Sequence, residues 1–215
     1  DVLVDNKPAA ECIVRIDAVG IDILPANGDV TAAEVSLLEV DNREARLRDA
    51  LEPLLPNYDY ILVDCPPSLN MLTLNALVAA DGVIIPMQCE YYALEGLTAL
   101  IDTIESVRDS VNPKLKIEGL LRTMYDARNN LANDVSAQLQ QHFGDKLYRT
   151  IIPRNVRLAE APSHGMPVLC YDKGSRGAIA YLALAGEYNR RHSAAKALQD
   201  APAAGDADQS RTSNM

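Results

Sequence analysis

Short apolar runs alternate with helical patterns through the middle of this chain, and that alternation constrains its fold more than any other feature. "YILVD" (60–64) and "GVIIP" (82–86) are continuous apolar runs of strand length, as expected for strands covered on both faces of a parallel sheet. "LKIEGLLRT" (115–123) and "YRTIIP" (148–153) follow, and "GIDILPAN" (20–27) precedes them as a strand closed by Pro25. Between the strands, residues 42–54 place Leu47, Leu51 and Leu54 at helical spacing, and a short helical pattern surrounds 70–80. Leu94, Leu97, Ile101, Ile104 and Val107 form one stripe over 93–107, and Leu131, Val135 and Leu139 recur four apart over 129–143. Residues 176–191 read as a closing helix. Strands alternating with helices predict βαβ units, hence a doubly wound, mostly parallel α/β sheet flanked by helices. No repeat or linker interrupts residues 1–192, which are expected to form one domain. Residues 193–215 offer few groups for a core and are expected to be disordered.

The net charge of −10 argues against a globally basic nucleic-acid binder, while leaving room for a local basic face. No apolar run approaches the roughly 20 residues that span a bilayer, and the chain does not open on a signal-peptide pattern. Cys12, Cys65, Cys89 and Cys170 are scattered, with no CxxC or Cys/His cluster, so a zinc or iron–sulfur site is not expected. Buried, reduced thiols in a cytosolic protein are the expectation.

Several catalytic signatures are missing from these residues. No glycine precedes a lysine, so the phosphate-cradling GxxxxGK[ST] loop does not occur, and GxGxxG, HExxH and GxSxG do not occur either. "SHG" (163–165) reads as a turn. What remains is Asp64, a carboxylate at the end of an apolar run, followed at once by Pro66 and Pro67, which remove two backbone donors and stop a strand. The residues alone leave two roles open for Asp64: a ligand in a magnesium site, or a strand-end cap.

The phrases "YDYILVDCPPSLNMLTLNAL" (58–77), "VIIPMQCEYYALEGL" (83–97), "TMYDARNNL" (123–131) and "IIPRNVRLAEAPSHGMPVLCYDKGSRGA" (151–178) resemble the ParA/Soj chromosome-partitioning ATPases, deviant-Walker P-loop proteins related to MinD. The resemblance covers roughly residues 1–192, and its most specific part is the PRNVRLAEAPSHG segment. Members of that family begin with a KGGVGKTT-type loop and a DPQGN-like segment. Both would precede residue 1, so the chain is expected to be an N-terminally truncated copy that lacks the P-loop strand and does not hydrolyse ATP alone. The resemblance implies that Asp64 is the Walker B aspartate, holding Mg²⁺ through a water beside ATP, and that Pro66 and Pro67 begin switch II. It implies an adenine contact near Thr123, Met124 and Pro153, against a reading as ordinary loop packing. It also implies contacts to non-specific DNA from Arg128, Arg154, Arg157, Lys173 and Arg176, against a reading as solvated charges. The two tyrosines of "EYYALEG" (90–96) could line a dimer face. An ATP-dependent homodimer, a ParB-type partner, a cytoplasmic, nucleoid-associated location and no membrane attachment complete that picture. The competing reading is a nucleotide-free interaction module or a non-functional remnant.

Overall fold

The computed structural model describes residues 1–66, 68–91 and 93–199. The chain divides into two compact units, Asp1–Leu147 and the part from Tyr148 onward. The first unit opens with α1 (Val2–Asp5), α2 (Ala9–Cys12), β1 (Val14–Ile16), β2 (Ile21–Ile23), α3 (Val30–Leu37) and α4 (Arg46–Leu51). It continues with α5 (Met71–Ala79), β3 (Gly82–Gln88), α6 (Ala93–Ser110), β4 (Lys116–Tyr125) and α7 (Asn130–Phe143). The second unit holds β5 (Leu147–Pro153, entered from the last residue of the first unit), α8 (Val156–Glu160), α9 (Val168–Tyr171) and α10 (Arg176–Gln199).

The first unit is built on the parallel pair β3–β4, joined by α6. Parallel strands need a crossover of this kind, because a tight turn only reverses the chain. The helical stripe predicted for 93–107 supplies the cover: Leu97, Ile104 and Val107 are buried, with Leu94 and Ile101 packed at the margin. Ile85 and Met87 of β3, Leu120 of β4, and Val135 and Leu139 of α7 complete this core. Gly82 opens β3 where the chains approach closely, since a Cβ there would stand 2.5 Å from Cγ of Glu118.

Three expectations from the sequence are corrected. Residues 60–64 form no strand: among the described residues they pair with no other strand, and Leu62 is 84% exposed. An apolar run holds strand geometry when a neighbouring strand pairs with it and layers cover its faces; here no described strand pairs with the run and its side chains are exposed. The strand expected over 20–27 shrinks to β2, which pairs antiparallel with β1 through Val14↔Ile23 and Ile16↔Ile21 instead of joining the parallel sheet. The helix expected over 42–54 is only α4, followed by a 3₁₀ segment at Glu52–Asn57, because Pro53 and Pro56 remove the donors an α-helix would need. The thiols are unpaired, but only Cys89 is buried; Cys65 and Cys170 are exposed. Cys65 follows the uncovered 60–64 run, and Cys170 sits on the one-turn helix α9, so neither enters a core. The closing helix α10 continues to Gln199, and residues 200–215 of the expected tail lie outside the described residues.

Three asparagines fasten α5 to its surroundings. Asn75 is fully buried: its Oδ1 accepts from the Leu47 N–H at 3.0 Å, and its Nδ2 donates to the carbonyls of Arg43 (2.8 Å) and Met71 (3.0 Å). Asn112, past the end of α6, donates to the Leu77 and Ala80 carbonyls, both at 2.8 Å. Asn70 caps α5 by accepting from the Thr73 N–H at 3.0 Å and donates to Glu34 of α3 at 3.1 Å. A buried backbone group left without a partner costs about 1–3 kcal/mol. Asn75→Ala strands two such groups outside its own helix, so urea unfolding of that variant should show a loss of about 2–4 kcal/mol. Asn75→Asp, which sets a carboxylate oxygen against the Arg43 and Met71 carbonyls at full burial, should lose at least as much.

Candidate functional site

The Asp64 stretch is anchored at both ends and uncovered between them. At its start, the Tyr58 hydroxyl donates to Asp22 Oδ2 at 2.8 Å while Arg15 Nη1 donates to Asp22 Oδ1 at 2.9 Å. These two donors, Arg15 foremost, hold the Asp22 carboxyl below the usual carboxylate range, and the same contact pushes the Tyr58 hydroxyl up. At its end, Thr73 Oγ1 donates to the Ser68 carbonyl at 2.6 Å and Asn70 caps α5. In between, Asp64 and Pro66 are exposed, and Asp64 makes no hydrogen bond or ion pair among the described residues. Pro67 lies outside the described residues. Magnesium prefers hard oxygen ligands, keeps several waters, and is held through one or two carboxylates plus substrate phosphates. A lone, solvent-facing carboxylate fits the water-mediated corner of such a site. Among the described residues no group of three or more His, Cys, Asp or Glu side chains is placed to hold a metal ion, and these residues contain no phosphate-cradling loop.

At the far end of β4, Thr123 Oγ1 donates to the Met87 carbonyl at 3.3 Å, which ties it to β3. Met124 has φ 48°, a left-handed backbone, with its side chain exposed. Such a conformation costs a non-glycine residue on the order of 1 kcal/mol or more and collects at ligand sites. Arg128 follows on the exit loop. Asp126 accepts from its backbone N–H (3.0 Å), its Nε (2.9 Å) and its Nη2 (2.7 Å), so the guanidinium is oriented, although its side chain is 90% exposed.

The remaining candidates lie in the second unit. Pro153 ends β5, and Arg154 stands exposed immediately after it. Asn155 caps α8 by accepting from the Leu158 N–H at 3.3 Å. Arg157 is held between two carboxylates, Glu160 at 2.8 Å and Asp172 at 3.3 Å. Its guanidinium keeps the Glu160 carboxyl below the ordinary range. Tyr171 also donates to Glu160 (3.3 Å), and His164 stacks on Tyr171 with ring centroids 4.8 Å apart. Lys173 and Arg176 are exposed and make no ion pair among the described residues. Gly177 admits α8, since a Cβ there would lie 2.5 Å from Leu158 Cγ, and this packing brings the start of α10, with Arg176, to the Arg157 helix.

Two features of this unit escaped the sequence reading. One is charge: in sequence, residues 148–199 hold Arg149, Arg154, Arg157, Lys173, Arg176, Arg190, Arg191 and Lys196 against Glu160, Asp172 and Glu187, a basic segment in an acidic chain. A count by segment would have found it. The other is Glu187, a buried carboxylate within the apolar run of α10. Burial alone would raise its pKa. Four donors outweigh that: the Arg149 N–H (2.9 Å), the Thr150 N–H (2.8 Å), Thr150 Oγ1 (2.7 Å) and Arg191 Nη2 (2.8 Å) hold it at about 2.

The parallel β–α layering is that of the P-loop NTPase fold, and known proteins narrow the class further. Residues 1–117 match the family model described as an AAA domain. The chain is 66% identical over 191 residues to an uncharacterised protein of Pseudomonas putida, covering 89% of this chain and 73% of that protein. It is 52% identical over 189 residues to the chromosome partitioning protein ParA of Caulobacter vibrioides (87% and 71% covered). Identity to the sporulation initiation inhibitor protein Soj of Bacillus subtilis is 51% over 187 residues (87% and 74%). Among solved structures, a cobyrinic acid a,c-diamide synthase from Mycobacterium smegmatis, with bound ATP analogue and magnesium, superposes with TM-score 0.71 at 37% identity. That match covers 84% of this chain, which spans 66% of the length of that one. The chain belongs to the ParA/Soj family of chromosome-partitioning ATPases.

The Glu187 geometry carries a pH dependence of known sign. The carboxyl titrates at about 2 in the folded chain against an ordinary value of 4.5. Its contribution, about 3 kcal/mol, is fully present above pH 4.5 and is lost as pH falls toward 2. Thermal unfolding should therefore show Glu187→Gln less stable than the parent at pH 7, with the gap closing between about pH 4.5 and 2. A gap that stays constant over that window would contradict this account.

Proposed function

We propose that this chain is the body of an ATP-switched partition ATPase that binds DNA without sequence preference as a dimer and is stimulated by a ParB-type partner at the nucleoid. The observation that carries this reading is the basic second unit. Arg154, Lys173 and Arg176 are exposed cations without carboxylate partners among the described residues, beside an Arg157 already oriented by Glu160 and Asp172. Neutralising phosphates with such groups gives salt-sensitive, sequence-tolerant binding. Arg128, oriented by Asp126, adds a further cation of the same kind.

In this reading Asp64 accepts from a water on the magnesium ion of bound ATP, and Pro66 and Pro67 begin the segment that responds to the terminal phosphate. Magnesium there neutralises charge on the β- and γ-phosphates. Thr123, Met124 and Pro153 contribute to holding the adenine; the left-handed Met124, at a strand end, supports its part. The competing reading, a nucleotide-free interaction module, draws support from the uncovered 60–64 run.

The test is duplex binding with ATP and Mg²⁺ under salt titration. Arg154→Ala should weaken binding several-fold and make the slope of log K against log salt shallower by about 1. Its thermal midpoint should be unchanged, because Arg154 makes no contact that folding needs. Full ATP-dependent binding by an Arg154→Glu, Arg157→Glu double variant would remove the DNA assignment. Asp64→Ala should leave the thermal midpoint unchanged and abolish the dependence of DNA binding on ATP and magnesium; a variant that still responds to ATP and magnesium would remove the role given to Asp64, and a parental protein that never responds to them would favour the module reading.

A further inference from the structure

We propose that Asp172 is a built-in competitor of phosphate for the Arg157 guanidinium, so that DNA displaces this carboxylate when the arginine closes on it. The proposal rests on the DNA reading above. Two acids flank Arg157, and they hold it differently. Glu160 lies three residues along α8 and accepts from Nη1 at 2.8 Å. It is itself fastened, because the Tyr171 hydroxyl donates to the same oxygen at 3.3 Å and His164 stacks on Tyr171. Asp172 follows α9 and approaches Nε at 3.3 Å, an ion-pair contact only; its carboxylate accepts no hydrogen bond among the described residues. The fold uses the Asp172 backbone instead. Its N–H donates to the Val168 carbonyl at 2.8 Å, and its carbonyl accepts from the Ser175 N–H at 3.1 Å.

The two contacts fall on different parts of the guanidinium. Nε and Nη2 form the side-on fork that can give two parallel N–H bonds to one phosphate. Nη2 makes no hydrogen bond among the described residues, and Asp172 covers the Nε half of that fork, whereas Glu160 sits on Nη1. Loss of the Asp172 contact therefore opens the fork while Glu160 keeps it aimed. Solvent reaches the pair, since the Arg157 and Asp172 side chains are 50% and 39% exposed, and ion pairs in that setting are weak. In sequence Asp172 is followed by Lys173 and Arg176, exposed cations without carboxylate partners among the described residues. A phosphate drawn by those cations arrives beside the carboxylate it displaces.

The experiment is random-sequence duplex binding under salt titration, by the protein with ATP and Mg²⁺, run as a double-mutant cycle of Asp172→Asn and Arg157→Ala. Arg157→Ala should make the slope of log K against log salt shallower by about 1. Asp172→Asn should tighten binding about two- to fivefold, the range set by the strength of an exposed ion pair. That gain should vanish when residue 157 is already alanine. The thermal midpoint of Asp172→Asn should hold, because the fold uses only the backbone there. A gain of equal size in both backgrounds overturns the competition, by showing a general relief of repulsion, and leaves the DNA reading standing. Weaker binding by Asp172→Asn also overturns it, since the carboxylate would then be aiming Arg157. An unchanged slope in Arg157→Ala, with parental binding intact, removes the contact for which Asp172 competes. A parental protein that binds no duplex overturns both readings.

Discussion

The hydrogen bonds that asparagine side chains make to backbone groups around α5 are the constraint on which the first unit depends. Helix ends and the turns between elements leave backbone donors and acceptors that their own ladders cannot satisfy. Asn75 answers for the entry to α4, Asn112 for the exit of α5, and Asn70 for its start. The apolar stripe of α6 then has a fixed surface to pack on, and β3 emerges from α5 in a defined direction. Aliphatic burial supplies the driving force, but it is non-directional. The asparagines fix the entry to α4 and both ends of α5.

Much of this was legible from periodicity, and the exceptions share a cause. The α6 stripe, β4, α7 and α10 announce themselves because their neighbours are present and each element's own pattern matches what covers it. "YILVD" announces a strand just as clearly, yet a strand is a property of a pair, and no described residue pairs with it. Pro53 and Pro56 shortened the 42–54 helix by local chemistry that leucine spacing does not record. At the candidate site, residue identity pointed to Asp64 and to the arginines, but not to their surroundings. The carboxylates that orient Arg128 and Arg157, and the backbone donors that gather on Glu187, are set by tertiary placement.

The second unit shows how few acids suffice to organise a basic surface. Each of its described carboxylates is committed to an arginine in or beside the packed layer, so they order the scaffold without neutralising the outward-facing cations. Arg157 and Arg191 belong to the scaffold by geometry, while Arg154 stands exposed beside it. Phosphate binding by groups held in place loses less side-chain entropy than binding by free ones.

The uncovered run at 60–63 has a practical consequence. Tyr, Ile, Leu and Val in sequence combine high strand propensity with no charge, and all four side chains are exposed. A segment of that composition left exposed is a template for pairing between molecules. Self-association of this polypeptide should rise with its concentration, and light scattering will be as informative about its handling as any spectroscopic measure of folding.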